Sequence, residues 1–103
     1  MALTIQQLAP QVGSSFTALT QGGPVPLELI DAEERRRGGL PPRFATPLSL
    51  LLRGPDDKPL VQASYQLEHP VLGQQLWLLV PVARPESAQQ GSFYEIILSQ
   101  LND

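Results

Sequence analysis

The chain has 103 residues, of which 42% are hydrophobic, and carries a formal net charge of −3. This length fits one ordinary domain, so we expect a single unit over residues 1–103. The absence of cysteine excludes disulfides, a thiol nucleophile and a cysteine zinc site, and the acidic balance argues against a nucleic-acid partner, because phosphate backbones bind basic surfaces.

The N-terminal residues MALTIQQ lack the basic segment and the continuous apolar segment of a secretory signal. No stretch approaches the roughly 18 apolar residues that span a bilayer. We therefore expect a cytoplasmic chain with no membrane partner. Thr4 can cap a short helical turn that runs to Leu8, because its hydroxyl can accept an orphan backbone N–H, and Pro10 then ends the turn.

Six strands are predicted after this turn. Eleven prolines and eight glycines punctuate the chain, and between them apolar residues recur at alternate positions, a pattern typical of an antiparallel β domain. The predicted strands are residues 15–19, 25–31, 44–53, 61–69, 76–82 and 93–98. The fold class is therefore mainly β, and we expect a small six-stranded antiparallel meander barrel or a roll with a short N-terminal helix, because closure removes exposed edges.

The alternation also predicts the core. In the third predicted strand, Leu48, Leu50 and Leu52 share one face. The fifth predicted strand, residues 76–82, is apolar on both faces, so we expect it to be covered on both sides at the centre of the fold. Residues 33–42 are predicted to form the longest loop, because they combine a charge run with paired glycines and paired prolines.

Several pieces of the sequence resemble a family of small bacterial proteins known only as a domain of unknown function. They are PLSLLLRGP at residues 47–55, YQLEHPVLG at 65–73, LLVPV at 78–82 and Tyr94-Glu95. The resemblance covers nearly the whole chain and brings no assigned activity and no functional residues. Members of the family sit beside proteins with phage-tail-like collar domains, which implies an accessory role in such an assembly.

No catalytic, metal or cofactor site is predicted. His69 is the single histidine, and no Gly-x-Ser-x-Gly elbow accompanies it, so we expect a non-enzyme. His69 is predicted to end a strand and to hydrogen-bond the backbone or Glu68 near the turn at Pro70. Asp56 and Asp57 favour a turn, since a calcium loop needs several more oxygen ligands at fixed spacing.

The candidate partner-binding residues are Arg35, Arg36 and Arg37. Guanidinium groups form bidentate contacts with carboxylates and phosphates, and the following glycines would let the loop adapt. Glu33 and Glu34 largely cancel the local field, so a solvated hairpin loop is the alternative.

The candidate ligand-lining residues are Tyr65 and Trp77, which either belong to the core or line a cavity at a barrel mouth. Glu28, Glu68 and Glu95 either face solvent or approach one another across the barrel as the paired acids of glycoside chemistry. The sequence leaves both choices open.

The leading functional hypothesis is a non-enzymatic protein-interaction or structural accessory domain that binds another protein through an exposed strand edge or its basic loop. A phage-tail-like or surface assembly is its expected setting. The alternative is a small-molecule carrier with an enlarged barrel interior, although small barrels are usually filled by side chains. The oligomeric state is left open.

Overall fold

Short runs of alternating apolar residues, each bounded by turn residues, form the strands of this protein. The computed structural model describes residues 3–101. A short helix and a 3-10 turn precede six strands: α1 (Ile5–Leu8), the turn (Ala9–Gln11), β1 (Ser15–Thr20), β2 (Gly23–Glu34), β3 (Leu48–Gly54), β4 (Ala63–His69), β5 (Gly73–Val82) and β6 (Ser92–Leu98). The third strand is shorter than predicted, because Phe44 forms only an isolated bridge with Leu101.

The strands close into an antiparallel barrel in the order β1-β2-β3-β6-β5-β4, and β4 pairs back with β1. The chain thus forms two three-stranded meanders, β1 to β3 and β4 to β6, which join where β3 pairs with β6 and where β1 pairs with β4. The predicted six-stranded antiparallel barrel with a short N-terminal helix is confirmed. Every strand among residues 3–101 has a neighbour on both sides, so a partner would meet outer faces and loops rather than a free strand edge.

Apolar side chains fill the inside of the barrel. The inward face of β3 is the predicted one, with Leu50 and Leu52 fully buried. The core contains Leu8, Phe16, Ala18, Val25, Leu27, Leu29, Leu48, Leu50, Leu52, Leu67, Leu79, Tyr94, Ile96 and Leu98. Because a barrel of even eight strands is only just wide enough for side chains to fill its interior, six strands leave little room for anything else.

A β-bulge extends β2 beyond its predicted end. The register between β2 and β3 shifts between Leu29 and Asp31, which makes Ile30 the extra residue. Past the bulge β2 stays paired with β3 as far as Glu34. The predicted loop of residues 33–42 therefore begins later than expected, and its first two residues belong to a strand.

The prediction that β5 is covered on both sides is wrong. Its inward residues Trp77 and Leu79 pack in or against the core, but on its outer face Leu76 is 72% exposed and Leu78 is 50% exposed. A closed single-layer barrel covers only the inner face of each strand, and the four-residue helix α1 packs against β2.

Within the part of the chain that the structure describes, no helix is long and apolar enough to cross a membrane.

Candidate functional site

The outer surface of the barrel has a charged side and a side with few charges. Strands β1, β4, β5 and β6 contain only three ionisable acidic or basic residues, of which His69 points into the core and Glu68 and Glu95 point outward. None of these four strands contains a lysine or an arginine. The basic residues of the chain lie elsewhere: Arg35, Arg36, Arg37, Arg43, Arg53, Lys58 and Arg84.

An exposed stripe of three leucines and one glutamine crosses the weakly charged side. We call it the β5 face and define it by Leu19, Gln66, Leu76 and Leu78. Leu76 pairs with Gln66 of β4, and Gln66 pairs in turn with Leu19 of β1, so these three residues form a row across three strands. Leu78 is the next outward residue along β5. Exposed apolar patches of this kind mark interaction sites more often than scattered single residues do.

Acidic residues border the β5 face. Glu68 is the next outward residue after Gln66 on β4, and its carboxylate accepts a hydrogen bond from the Gln74 amide at 2.9 Å. Glu95 of β6 pairs with Val80 of β5, beyond Leu78. A partner that covers the apolar stripe would therefore meet carboxylates at its rim.

The three predicted partner-binding arginines lie in the connection between β2 and β3, which we call the arginine loop and define as residues 35–47. The Arg37 guanidinium holds this loop together, since it donates to Thr46 Oγ1 at 3.3 Å and to the Pro41 carbonyl at 3.2 Å. The Arg35 N–H donates to the carbonyl of Pro47 at 2.8 Å. Arg36 is exposed and forms no hydrogen bond or ion pair with the described residues. Of the three, Arg36 is the one whose guanidinium is available to a partner.

Nearby carboxylates neutralise part of the basic charge at the base of this loop. Arg35 Nη1 lies 3.9 Å from Glu95 Oε2, and the Ser49 hydroxyl donates to the same carboxylate at 3.4 Å. On the outer face of β2, the pKa of Glu33 is raised by a hydrogen bond with Asp31 and by repulsion between the two carboxylates. The carboxylate in an ion pair with Arg35 is thus Glu95 and not one of the predicted residues, Glu33 and Glu34.

His69 is the most distinctive polar group of the core and is only 5% exposed. Its Nδ1 accepts hydrogen bonds from the backbone N–H groups of Val71 and Leu72, at 3.0 and 3.2 Å. Its Nε2 lies 2.7 Å from Ser14 Oγ, and the Ser14 hydroxyl donates its own proton to the Gln11 carbonyl. The neutral ring therefore carries its proton on Nε2 and donates it to Ser14. The predicted role at the end of a strand, bonded to backbone at the turn, is confirmed.

This arrangement does not suit a serine–histidine nucleophile pair, although the two side chains touch. A base that activates serine needs a lone pair on the ring nitrogen that faces the hydroxyl, with the other nitrogen protonated. In this structure the roles are reversed, since Nδ1 of His69 accepts two backbone N–H groups. Burial lowers the pKa of His69, which favours the neutral ring. Sequence reasoning missed Ser14, which is 55 positions away from His69 in the chain.

Tyr65 and Trp77, the predicted ligand-lining residues, face each other across β4 and β5 and pack against the core. The Tyr65 hydroxyl donates to the Val61 carbonyl at 2.8 Å, and the ring centroids of Trp77 and Phe16 are 5.8 Å apart. Three surface clefts, of about 520, 270 and 480 Å³, are lined by other residues. A role beside a ligand stays a prediction that the packing does not favour.

A polar cleft of about 520 Å³ lies outside the barrel at the β3–β4 loop. Three of its four charged side chains are in ion pairs: Arg53 with Glu28, and Asp56 with the neighbouring Arg84 at 3.1 Å. Asp56 also accepts the N–H of Gly91 at 2.9 Å, so it ties the β3–β4 loop to the β5–β6 loop. Among residues 3–101 no three histidine, aspartate or glutamate side chains gather as a metal site requires.

The three strand glutamates do not converge. Glu28, Glu68 and Glu95 lie on the outer faces of β2, β4 and β6, and no two of these strands are neighbours in the barrel. Side chains that point outward from separate strands diverge, whereas the paired acids of a glycosidase must flank one bond at roughly 5–10 Å from each other. The solvent-facing alternative is the one that the structure shows.

Comparison with known proteins identifies the family of this chain. A search of curated proteins and a search of solved structures each gave no match to the chain. The sequence model of one family, described as a domain of unknown function (DUF6916), matches residues 3–98. The match runs from the residue before the α1 cap to the end of β6 and confirms the resemblance found in the sequence. The chain therefore belongs to the DUF6916 family.

Proposed function

We propose that this domain is a non-enzymatic protein-interaction module that binds a partner protein through the β5 face. The observation that carries the proposal is the exposure of Leu76 and Leu78 on an outer face with no basic residue. Removing a leucine side chain from water stabilises a complex by about 1.5–3 kcal/mol when burial is complete. Two adjacent leucines give such a face a central anchor, and the polar residues around them give it a rim.

The filled interior supports a surface role over the carrier alternative. A carrier needs an apolar cavity, and ligand-holding barrels use about eight strands or more. Here fourteen buried apolar residues occupy the interior of six strands, and Tyr65 and Trp77 contribute to that packing. The cleft at the β3–β4 loop lies outside the barrel and is lined mainly by polar and loop residues, whereas a smaller cleft of about 270 Å³ lies beside Leu60, Val82 and Tyr94.

The polar groups support a binding role over a catalytic one. His69 presents a donor, not a basic lone pair, to its only hydroxyl neighbour, and the strand glutamates point away from one another. The proposed setting, a phage-tail-like or surface assembly, rests on the sequence resemblance alone. In such a setting the domain would act as an accessory component that contacts a neighbouring protein.

The test is quantitative capture from the native host at normal expression level. Tagged wild-type protein and the double variant Leu76→Ser/Leu78→Ser are compared by mass spectrometry of the retained proteins. We expect one near-stoichiometric partner on the wild type and a loss of more than tenfold on the double variant, because two anchors at the centre of the interface are removed.

The matched control is Val61→Ser. Val61 is 73% exposed, as exposed as Leu76, but lies in the β3–β4 loop away from the β5 face. It should retain the partner. Equal capture by the wild type and the double variant would show that the β5 face is not the binding surface, and the absence of any specific partner on all three proteins would remove the support for an interaction module.

A further inference from the structure

The arginine loop presents a second exposed surface, and the β5 face alone does not explain it. Its thirteen residues, RRRGGLPPRFATP, contain four arginines and no acidic residue. Arg36, Leu40 and Arg43 are all exposed. The loop thus presents an apolar side chain between two guanidinium groups.

This chemistry complements the β5 face. The face presents Leu76 and Leu78, and its rim contains Glu68 and Glu95, of which Glu95 already lies 3.9 Å from Arg35 of its own chain. An apolar side chain flanked by arginines would bury its apolar part on the leucines while a guanidinium group meets Glu68. Both halves of such a contact are therefore present on one chain.

The arginine loop does not cover the β5 face of its own molecule. It joins β2 to β3, and β6 lies between β3 and β5 in the barrel. Within one molecule the loop meets the rim of the face through Arg35, which lies 3.9 Å from Glu95, while Leu76 and Leu78 stay 72% and 50% exposed. The exposed loop residues Arg36 and Leu40 are therefore left to meet the β5 face of another copy.

We propose that the protein self-associates head to tail, with the arginine loop of one copy seated on the β5 face of the next. Leu40 packs on Leu76 and Leu78, and Arg36 pairs with Glu68. This inference rests on the proposed function, in that it uses the same β5 face. In a contact between two different surfaces, a growing assembly keeps one unused β5 face and one unused arginine loop. The assembly therefore closes into a ring if the rotation between copies permits it, and otherwise extends into a filament.

A face-to-face dimer through two β5 faces is the less favourable arrangement. It would bring the Glu68 carboxylates of both copies to one interface, and neither β4 nor β5 has a basic residue that could neutralise them. Like charges across an interface select against that partner. The head-to-tail contact places Glu68 against Arg36 instead.

The experiment is sedimentation velocity on the purified full chain over a hundredfold range of concentration. We expect the mean mass of the wild type to rise with concentration past that of a dimer, and to fall when salt is raised, because salt screens the exposed charge pairs. The face variant Leu76→Ser/Leu78→Ser and the loop variant Arg36→Glu/Leu40→Ser should each remain monomeric.

Mixing the two variants distinguishes the proposed contact from every symmetric one. The face variant keeps an intact loop and the loop variant keeps an intact face, so a 1:1 mixture has one working interface and should form a heterodimer that grows no further. The controls are Val61→Ser for an exposed apolar residue and Lys58→Glu for an exposed basic residue, both in the β3–β4 loop. Both should assemble like the wild type, and circular dichroism checks that every variant is folded.

Three results would overturn self-assembly: a wild type that is monomeric at all concentrations, a dimer that the loop variant leaves intact, or folded variants whose mixture stays monomeric. These results are separate from failure of the proposed function. If the wild type is monomeric but the face variant still loses a captured host protein, the β5 face binds another protein and only its occupant was misassigned.

Discussion

Replacing His69 with phenylalanine tests how much the hydrogen bonds of this buried histidine stabilise the barrel. The variant keeps a ring beside Phe16, whose centroid lies 4.7 Å from that of His69. It loses the two bonds from the Val71 and Leu72 N–H groups and the bond to Ser14. At about 0.5–1.5 kcal/mol for each bond, we expect a loss of about 2–4 kcal/mol in the free energy of unfolding, or roughly 10–30 °C in melting temperature.

The same contacts predict a dependence on pH. Burial lowers the pKa of His69 below its ordinary value of 6.5, because a second ring proton would point Nδ1–H at two backbone donors and would charge a buried group. The unfolded chain therefore takes up a proton first as pH falls. Wild-type stability should be complete above pH 6.5, should decrease as pH falls below that value, and should level off once the folded protein is protonated as well.

Urea unfolding followed by Trp77 fluorescence at pH 7.5 and 5.5 measures both effects. Because the chain has a single histidine, most of the pH effect in this range should disappear in His69→Phe. Ser14→Ala is the matched control: it should lose about 1–2 kcal/mol and keep the pH dependence. Parallel loss of stability in wild type and His69→Phe between the two pH values would refute the assignment of a buried, neutral His69.

Two further pairs of variants test the fold. Leu50→Ala should cost about 2–5 kcal/mol in urea unfolding because it opens a cavity in the filled barrel, whereas Leu76→Ala, on the exposed β5 face, should change stability by less than about 0.5 kcal/mol; equal costs would mean that β5 is covered after all. Gly91→Ala should lower the melting temperature, at a cost of about 1–2 kcal/mol, because Gly91 has φ +105° and a new Cβ would lie 2.7 Å from side-chain carbons of Arg53. Gly39→Ala, which meets no atom within 4 Å, should melt close to the wild type, and an unchanged melting temperature for Gly91→Ala would contradict the backbone geometry.

The strands could be predicted from the sequence because strand side chains have a period of two. Leu48, Leu50 and Leu52 form one set of alternate positions, and Ser49 and Arg53 in the other set identify the inward face, although Leu51 belongs to that second set. The extension of β2 could not be predicted. Glu33 and Glu34 carry no strand signal of their own, and they are strand residues because the bulge brings them into register with the first residues of β3.

The β5 face was missed for a different reason. A strand that is apolar on both sides predicts two covering layers, and local sequence does not say whether the second layer exists. A signal was available in the length of the chain: six strands that close into one barrel, plus turns, use nearly all of its 103 residues. Among residues 3–101 the strands and turns of the barrel leave Leu76 and Leu78 exposed, and the excess of apolar residues in β5 is the sequence feature that corresponds to this exposure.

Closure of the barrel decides where this protein can act. A filled interior removes the ligand cavity, and a neighbour on both sides of every strand removes edge pairing, so binding must use outer faces and loops. On those surfaces the basic residues lie outside β1, β4, β5 and β6, while the exposed leucines of the β5 face lie on β1 and β5. In the proposed assembly the β5 face and the arginine loop bind different copies, so one molecule would contact two neighbours at once. The proposal depends on the placement of Leu76 and Arg36 and not on any catalytic group.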